Sequence, residues 1–213
     1  VGTSLFGVFL NALSGTYAYV KQHRVYFKAA IPFAIATLPG AILGSLVSDY
    51  FTGPTFSLSY GIFILIISAI MYWNSSNKKA IATNFDETLF IARKKLGIIL
   101  SMFVGFISSI FGIGGGIIHV PVMIYALAFP PHMATATSHF VLAVSSFMGV
   151  TSHIFLNHIV WIPALAVGFG AVIGAQIGAR LSKKTKPRSI ILLLCISLFL
   201  LGIRMIIESN LLF

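Results

Sequence analysis

Four glycines fall within five positions of the stretch IFGIGGGIIH, at Gly112, Gly114, Gly115 and Gly116. Each glycine costs a helix about 1 kcal/mol relative to alanine, so the run interrupts any helix that contains it. A helix that restarts after Gly116 directs free N–H groups and the positive end of its dipole at the break. The run therefore predicts an anion-binding turn. The alternative interpretation is that the glycines only allow close helix packing.

Hydroxyl pairs are the second feature that could bind an oxyanion. Thr137 and Ser138 open the next predicted helix, where they could also act as helix caps, and Thr3 and Ser4 form a similar pair. His139 follows the first pair, so it is the histidine best situated to donate to an anion. The candidate substrate-binding residues are thus Gly112, Gly114, Gly115, Gly116, Thr137, Ser138, Thr3, Ser4 and His139.

Groups for catalysis or metal binding are sparse. The four acidic residues lie at or beyond the ends of apolar segments, so no buried carboxylate pair is expected to bind Na⁺ or carry protons. No HExxH or comparable metal spacing occurs, and His119 and His153 are most simply read as hydrogen-bonded core residues. We therefore predict no catalytic residue, no metal site and no cofactor, and expect a protein that is not an enzyme.

The composition indicates the environment of these residues. Of the 213 residues, 58% are hydrophobic and 8% charged, whereas soluble domains carry about 25% charged residues. Continuous apolar runs predict an all-α polytopic membrane protein rather than a barrel. The net charge of +10 comes from short basic clusters between these runs, as in the positive-inside pattern. The expected partners are thus the lipid bilayer and a small anionic substrate rather than nucleic acid, and homo-oligomerisation is left open.

The apolar runs predict six helices and one broken segment. The broken segment, 96–129, carries the glycine run and follows a polar loop at 74–95. The helices are expected at about 1–20, 29–51, 56–75, 134–156, 161–181 and 189–208.

The chain resembles itself at an offset of 134 residues. Thr3 and Ser4 fall on Thr137 and Ser138, and the motif GAILG at 40–44 falls on GAQIG at 174–178. This predicts a first repeat at 1–76, a cytoplasmic linker at 77–95 and a second repeat at 96–213. The counterpart of the glycine run would lie about 20 residues before Val1, so the first repeat is expected to lack its opening segment.

The basic loops predict how the repeats are oriented. If segment 96–129 dips into the membrane and returns, the basic loops 21–28, 74–95 and 183–188 all lie on one side, which would be the cytoplasmic side. A single helix over those 34 residues would measure about 50 Å, too long for a core of about 30 Å. We therefore expect two inverted-topology repeats with a re-entrant helix; a tilted, broken spanning helix is the alternative.

The motif GIGGGIIHVPVM followed by ATATS, with VGTS as its counterpart, resembles the TauE/SafE sulfite exporter family. The resemblance implies a secondary transporter in the cell membrane that exports sulfite, an organosulfonate or a related small anion by alternating access. It also implies that the glycines and the two hydroxyl pairs contact the substrate. The alternatives are a transporter of another small anion, such as a carboxylate or inorganic oxyanion, and a non-transporting membrane scaffold.

Overall fold

A computed structural model describes residues 2–48, 54–76, 85–111, 116–155 and 159–210. The prediction of an all-α protein is confirmed, because these residues form helices and contain no strand. A π-helical turn, Val122–Ala126, continues the short helix α5. The α-helices are α1 (Gly2–Lys21), α2 (Phe27–Ser48), α3 (Pro54–Ser76), α4 (Glu87–Phe111), α5 (Gly116–Pro121), α6 (Pro131–Phe155), α7 (Trp161–Lys184) and α8 (Pro187–Asn210).

Five of these helices are long and apolar enough to cross a membrane, which confirms a polytopic membrane protein. Large apolar side chains such as Trp73, Ile162 and Phe169 are strongly exposed on the outside of the bundle, where lipid can cover them. The candidate spans are Phe27–Gly44, Ser57–Asn74, Pro131–Thr151, Trp161–Lys184 and Pro187–Ser209.

Helix α4 begins at Glu87, earlier than the predicted start at residue 96. The reason is an N-cap inside the polar loop. The carboxylate of Asp86 accepts hydrogen bonds from the backbone N–H groups of Thr88 (2.9 Å) and Leu89 (3.2 Å). Such a cap stabilises the first turn of a helix by about 1 kcal/mol, a signal that hydropathy does not report.

Two helix pairs are antiparallel. In the first, α1 packs on α6, so that Leu5 lies against Gly149 and Gly15 against His139. In the second, α3 packs on α8, and the hydroxyl of Ser68 donates to the carbonyl of Cys195 (3.0 Å). The residue number rises on α1 as it falls on α6, and on the second pair Gly61 lies against Ile206. Both pairs are therefore antiparallel.

Two other helix pairs are parallel. Along α1 and α7, the Ser14 hydroxyl donates to the Val172 carbonyl (3.0 Å), and the Gln22 amide donates to the Ala179 carbonyl (3.2 Å). The helices α2 and α4 approach so closely that Gly40 lies directly against the Met102 carbonyl. Gly44 lies in the same way against Phe106, and Gly105 against Thr37.

Residues 116–129, which we call the return arm, run back alongside α4. Arg93 near the start of α4 donates to the Ala126 carbonyl (2.8 Å), and the rings of Phe90 and Phe129 lie 5.7 Å apart. Together with Phe33, Met123 and Ile64, these aromatic residues form the main buried core. The start of α4 and the end of the return arm therefore lie at the same end of the bundle.

The basic segments meet at that same end. The ammonium of Lys28, at the start of α2, contacts the Glu87 carboxylate of α4 (2.7 Å). The guanidinium of Arg24 contacts the hydroxyl of Ser182 near the end of α7 (3.4 Å). The starts of α2 and α4 and the end of α7 thus form one end of the bundle, which we call the basic end.

Candidate functional site

The glycine run lies only partly within the described residues. Gly112, Gly114 and Gly115 are outside them, whereas Gly116 is the first residue of α5. A Cβ atom on Gly116 would lie 3.1 Å from the side chain of Leu142 on α6. The described end of the glycine run is therefore packed against α6, the helix that carries Thr137 and Ser138.

Each threonine of the two hydroxyl pairs holds the start of a helix in the other half of the chain. The buried Thr137 accepts a hydrogen bond from the backbone N–H of Tyr26, the residue before α2 (3.2 Å). Thr3 accepts one from the backbone N–H of Val160, the residue before α7 (3.1 Å). Both hydroxyls keep their own proton for a further acceptor.

The structure does not bring the two hydroxyl pairs together. Because α1 and α6 are antiparallel, Gly15 lies against His139, close to Thr137. Thr3 precedes Gly15 by twelve residues on α1, which corresponds to roughly 18 Å along the helix. The pairs therefore lie at different levels of the bundle, with Thr137 and Ser138 nearer the basic end.

Ser138 and His139 bond to their own helix. The Ser138 hydroxyl donates to the Thr135 carbonyl (3.0 Å), and His139 Nδ1 lies 3.0 Å from the same carbonyl. A carbonyl only accepts, so Nδ1 carries the proton, and Nε2 is the acceptor nitrogen of the neutral ring. The ring also meets Tyr19 edge-on at 5.3 Å.

Thr3 and Ser4 line an open pocket of about 360 Å³ between α1 and α7. Asn11 adds an amide to its wall, and Gly174 forms part of the α7 side. Two hydroxyls and an amide supply donors for a polar ligand or for water. The sequence prediction identified the hydroxyls of this pocket but not Asn11.

Ser101 and His119 form a buried pair near Gly116, the described end of the glycine run. His119, three residues after Gly116, is 1% exposed, and its Nε2 atom lies 2.9 Å from the Ser101 hydroxyl oxygen. The Ser101 hydroxyl donates to the Gly97 carbonyl (2.7 Å). The sequence prediction left His119 out of the site as a core residue, although its position one helical turn after the glycines was a signal for it.

No cluster of three or more His, Cys, Asp or Glu side chains that could hold a metal ion occurs among the described residues. The polar groups that these residues assemble around the candidate site are neutral hydroxyls, amides, imidazoles and backbone groups. Of these groups, the hydroxyls of Thr3 and Thr137 retain a proton for a small anion, whereas the protons of Ser138 and His139 are donated to the Thr135 carbonyl.

Comparison with known proteins identifies the family. The profile of the family described as sulfite exporter TauE/SafE matches residues 1–205. The "Probable membrane transporter protein YunE" of Bacillus subtilis is 35% identical over 98% of this chain and 81% of its own length. A probable membrane transporter protein of Methanocaldococcus jannaschii is 29% identical over 97% of this chain and 78% of its own length.

No solved structure is significantly similar to the chain. The family match covers nearly all of the sequence, and the relatives carry the names of membrane transporters. The helices that are long and apolar enough to span a bilayer agree with that description. The chain therefore belongs to the TauE/SafE sulfite exporter family and is a membrane transporter, not an enzyme.

Proposed function

We propose that this protein is a secondary transporter that exports a small sulfur-containing anion, such as sulfite or an organosulfonate, across the cell membrane. The description of its family names sulfite as the exported anion. The observation that carries the proposal is the packing of the glycine-run flanks inside the bundle, with Ser101 and His119 almost wholly buried. Non-helical backbone at membrane depth is tolerated only where protein surrounds it or where it lines an aqueous cavity.

A re-entrant hairpin is part of this proposal. Its support is the antiparallel contact series between α4 and the return arm, from Ser101–His119 to Phe90–Phe129. The return arm, residues 116–129, would measure about 20 Å as a helix, less than the membrane core of about 30 Å. Its amides at the glycine turn are the proposed anion donors.

Two inverted repeats are the second part. An offset of 134 residues superposes Phe27–Ser48 on the first 22 residues of α7. The same offset relates Thr3 to Thr137 and Tyr26 to Val160, so the hydrogen bond from Val160 to Thr3 in one half corresponds to the bond from Tyr26 to Thr137 in the other. The equivalent helices α1 and α6 are antiparallel, as are α3 and α8. Both relationships are those of halves related by a twofold axis in the membrane plane.

An opening hairpin before Val1 is the third part. Gly40 and Gly44 of α2 lie against α4, whereas their counterparts Gly174 and Gly178 of α7 have no atom near the position of a Cβ. We propose that a glycine-broken hairpin equivalent to α4 and the return arm fills this face and covers the α1–α7 pocket. The domains are then a first repeat ending at 76, a linker at 77–95 and a second repeat at 96–213.

The separation of the hydroxyl pairs suggests how alternating access works. Two sites roughly 18 Å apart cannot hold one small anion at the same time. We therefore assign Thr137, Ser138 and His139 to the half of the pathway nearer the basic end, and Thr3 and Ser4 to the other half. The basic end, with loops 21–28, 74–95 and 183–188, is the proposed cytoplasmic end.

The test is flux of radiolabelled sulfite and methanesulfonate in proteoliposomes, with acetate and phosphate as competitors. The proposal predicts saturable sulfite or methanesulfonate flux that Gly115→Ala strongly reduces while the protein stays folded. Uptake of radiolabelled acetate or phosphate, without flux of the sulfur anions, would identify a transporter of another anion. Absence of flux for every anion, together with an unchanged melting temperature of the Gly115→Ala variant, would indicate a scaffold.

A further inference from the structure

A groove of about 470 Å³ runs along the outside of the α3–α8 pair. Leu65, Ala69 and Tyr72 of α3 form one wall, and Ile196 and Phe199 of α8 form the other. Tyr72, Ile196 and Phe199 are 62%, 55% and 50% exposed, so the groove opens outward, towards the lipid. The residues assigned to the anion pathway do not line it, so the groove needs an occupant of its own.

The floor of the groove is apolar. Its polar member, the buried Ser68, donates its hydroxyl to the carbonyl of Cys195 (3.0 Å), so this proton is already used within the helix pair. The free thiol of Cys195 behaves as a small hydrophobic group. A floor of this kind suits a hydrocarbon chain rather than a small polar substrate.

One end of the groove lies at the basic end of the bundle. The hydroxyl of Tyr125, in the return arm, donates to the carbonyl of Met71 near the end of α3 (3.1 Å), and α8 starts at Pro187, just after α7 ends. Phe199 follows Arg188 by eleven residues, which corresponds to roughly 16 Å along the helix, about half of a membrane core of about 30 Å. The groove therefore extends from the surface of one leaflet to about the middle of the bilayer.

Arg188 lies on the same face of α8 as the groove. It precedes Cys195 by seven residues and Phe199 by eleven, and both spacings return to the same side of a helix. Its side chain is exposed at the first turn of α8, where a membrane-spanning helix meets the headgroups. A cation thus lies at the mouth of an apolar groove.

The cations at this mouth are not neutralised by the protein. Among the described residues, no carboxylate forms an ion pair with Lys184, Lys186 or Arg188. The described carboxylates of the basic end, Asp86 and Glu87, cap α4 and bond to the start of α2. A second copy of the chain packed on the groove about a twofold axis would place this basic mouth beside its own copy, which is unfavourable. An anion with hydrocarbon chains complements both the mouth and the floor.

We propose that the α3–α8 groove is a binding site for one anionic phospholipid of the leaflet at the basic end. The phosphate contacts Arg188, because a guanidinium can donate two parallel hydrogen bonds to phosphate oxygens. One acyl chain lies in the groove as far as Phe199, and Lys184 and Lys186 add attraction near the membrane surface. Trp73, 81% exposed at the end of α3, lies at the level where tryptophan favours the headgroup region. The proposal does not depend on which anion is transported.

The first measurement is native mass spectrometry of protein released from nanodiscs that contain equal amounts of phosphatidylglycerol and phosphatidylcholine with identical acyl chains. The wild type should retain phosphatidylglycerol in preference, and Arg188→Gln should retain about fivefold less of it. Lys21→Gln, which removes an exposed cation of the basic end from α1, should retain as much as the wild type. Equal retention of the two lipids by the wild type, or an equal loss in the two variants, overturns the proposal.

The second measurement locates the acyl chain with phosphatidylglycerol that carries a photoreactive diazirine on that chain. Crosslinks should concentrate in residues 65–72 and 195–199. Ala69→Leu, which fills the groove, should abolish them, whereas Ala166→Leu on α7 should not; both alanines are exposed, so neither change enters the core.

Three results of the second measurement would overturn the proposal. Crosslinks spread equally over the exposed face of α7 would indicate ordinary bulk lipid. Lipid retention that depends on Arg188 but not on Ala69 would indicate a headgroup contact without the groove. A dimer that Ala69→Leu converts to a monomer, with lipid retention unchanged, would identify a second copy of the chain as the occupant.

Discussion

Thr137 accepts the backbone N–H of Tyr26 at 3.2 Å, and this bond ties the first residue before α2 to a helix of the second half of the chain. The equivalent bond joins Val160 to Thr3 at 3.1 Å. Each half of the sequence thus supplies the acceptor for a helix start in the other half. Thr3 and Thr137, which the sequence indicated as candidate binding residues, therefore also hold the starts of α7 and α2 in place.

Replacing Thr137 with valine should destabilise the protein by about 1–3 kcal/mol, because it leaves the partly buried Tyr26 N–H without its acceptor. Thr3→Val should cost less, since the Val160 side of that bond is exposed. Thr135→Val is the control, because the Thr135 hydroxyl donates to the Pro131 carbonyl of its own helix. Denaturant unfolding in detergent measures all three, and an equal loss for Thr137→Val and Thr135→Val would contradict the architectural role.

Gly40→Ala should lower the melting temperature by several degrees, because its methyl group would overlap the Met102 carbonyl, a backbone atom that cannot rotate away. Gly170→Ala is the matched control on α7, where no atom lies near the added methyl group. The control should be neutral or slightly stabilising, since alanine is the better helix former by about 1 kcal/mol. Equal melting temperatures for the two variants would show that α2 and α4 are less closely packed than described.

Gly174→Ala tests whether the open face of α7 is filled. If an opening hairpin packs there as α4 packs on α2, the substitution should destabilise the protein about as much as Gly40→Ala does. An unchanged melting temperature of the Gly174→Ala variant would contradict the hairpin. A lower melting temperature that accompanies conversion of a dimer to a monomer would also contradict it, because a second copy of the chain would then fill the face.

The helices were predictable to the extent that hydropathy determines them. The predicted 29–51 and 161–181 correspond to α2 and α7 within a few residues at most ends, because apolar runs and basic termini mark both. The start of α4 was missed because a single carboxylate, Asp86, caps it inside a polar loop. A capping side chain can begin a helix inside a polar segment, where hydropathy does not predict one.

The candidate site was predictable in residue type but not in arrangement. The sequence indicated hydroxyls at Thr3 and Thr137, yet their separation depends on α1 and α6 being antiparallel neighbours, a tertiary relationship. For His119 the sequence offered only its position after the glycines, because its bond to the Ser101 hydroxyl is a tertiary contact between α5 and α4. The hydrogen-bond partners of a buried side chain can be identified only from a structure, whereas periodicity and composition can be read from the sequence.

The basic end should show a pH dependence that comes from Glu87. The Lys28 ammonium first, and the Tyr26 hydroxyl second, hydrogen-bond to its carboxylate and hold the pKa of Glu87 below its ordinary value. A lowered folded pKa stabilises the protein at pH values above the unfolded pKa of about 4.3, and that contribution is lost as the pH falls through the folded value. Because both side chains are exposed, the effect should be small and weakened by salt. Melting temperatures between pH 6 and pH 3 at low salt should therefore fall more for the wild type than for Glu87→Gln, and parallel curves would exclude this contribution.

Arg93 should control the stability of the return arm, because its guanidinium donates to the Ala126 carbonyl at the end of the π-helical turn (2.8 Å). A hydrogen bond from a charged donor contributes about 1.5–3 kcal/mol, so Arg93→Gln should weaken the arm by that order. Hydrogen exchange should then rise in residues 122–129 before it rises in α6. Lys94→Gln, which removes the same charge from the next, exposed position, should leave exchange unchanged. If both variants accelerate exchange equally, charge alone and not the Ala126 bond holds the arm against α4.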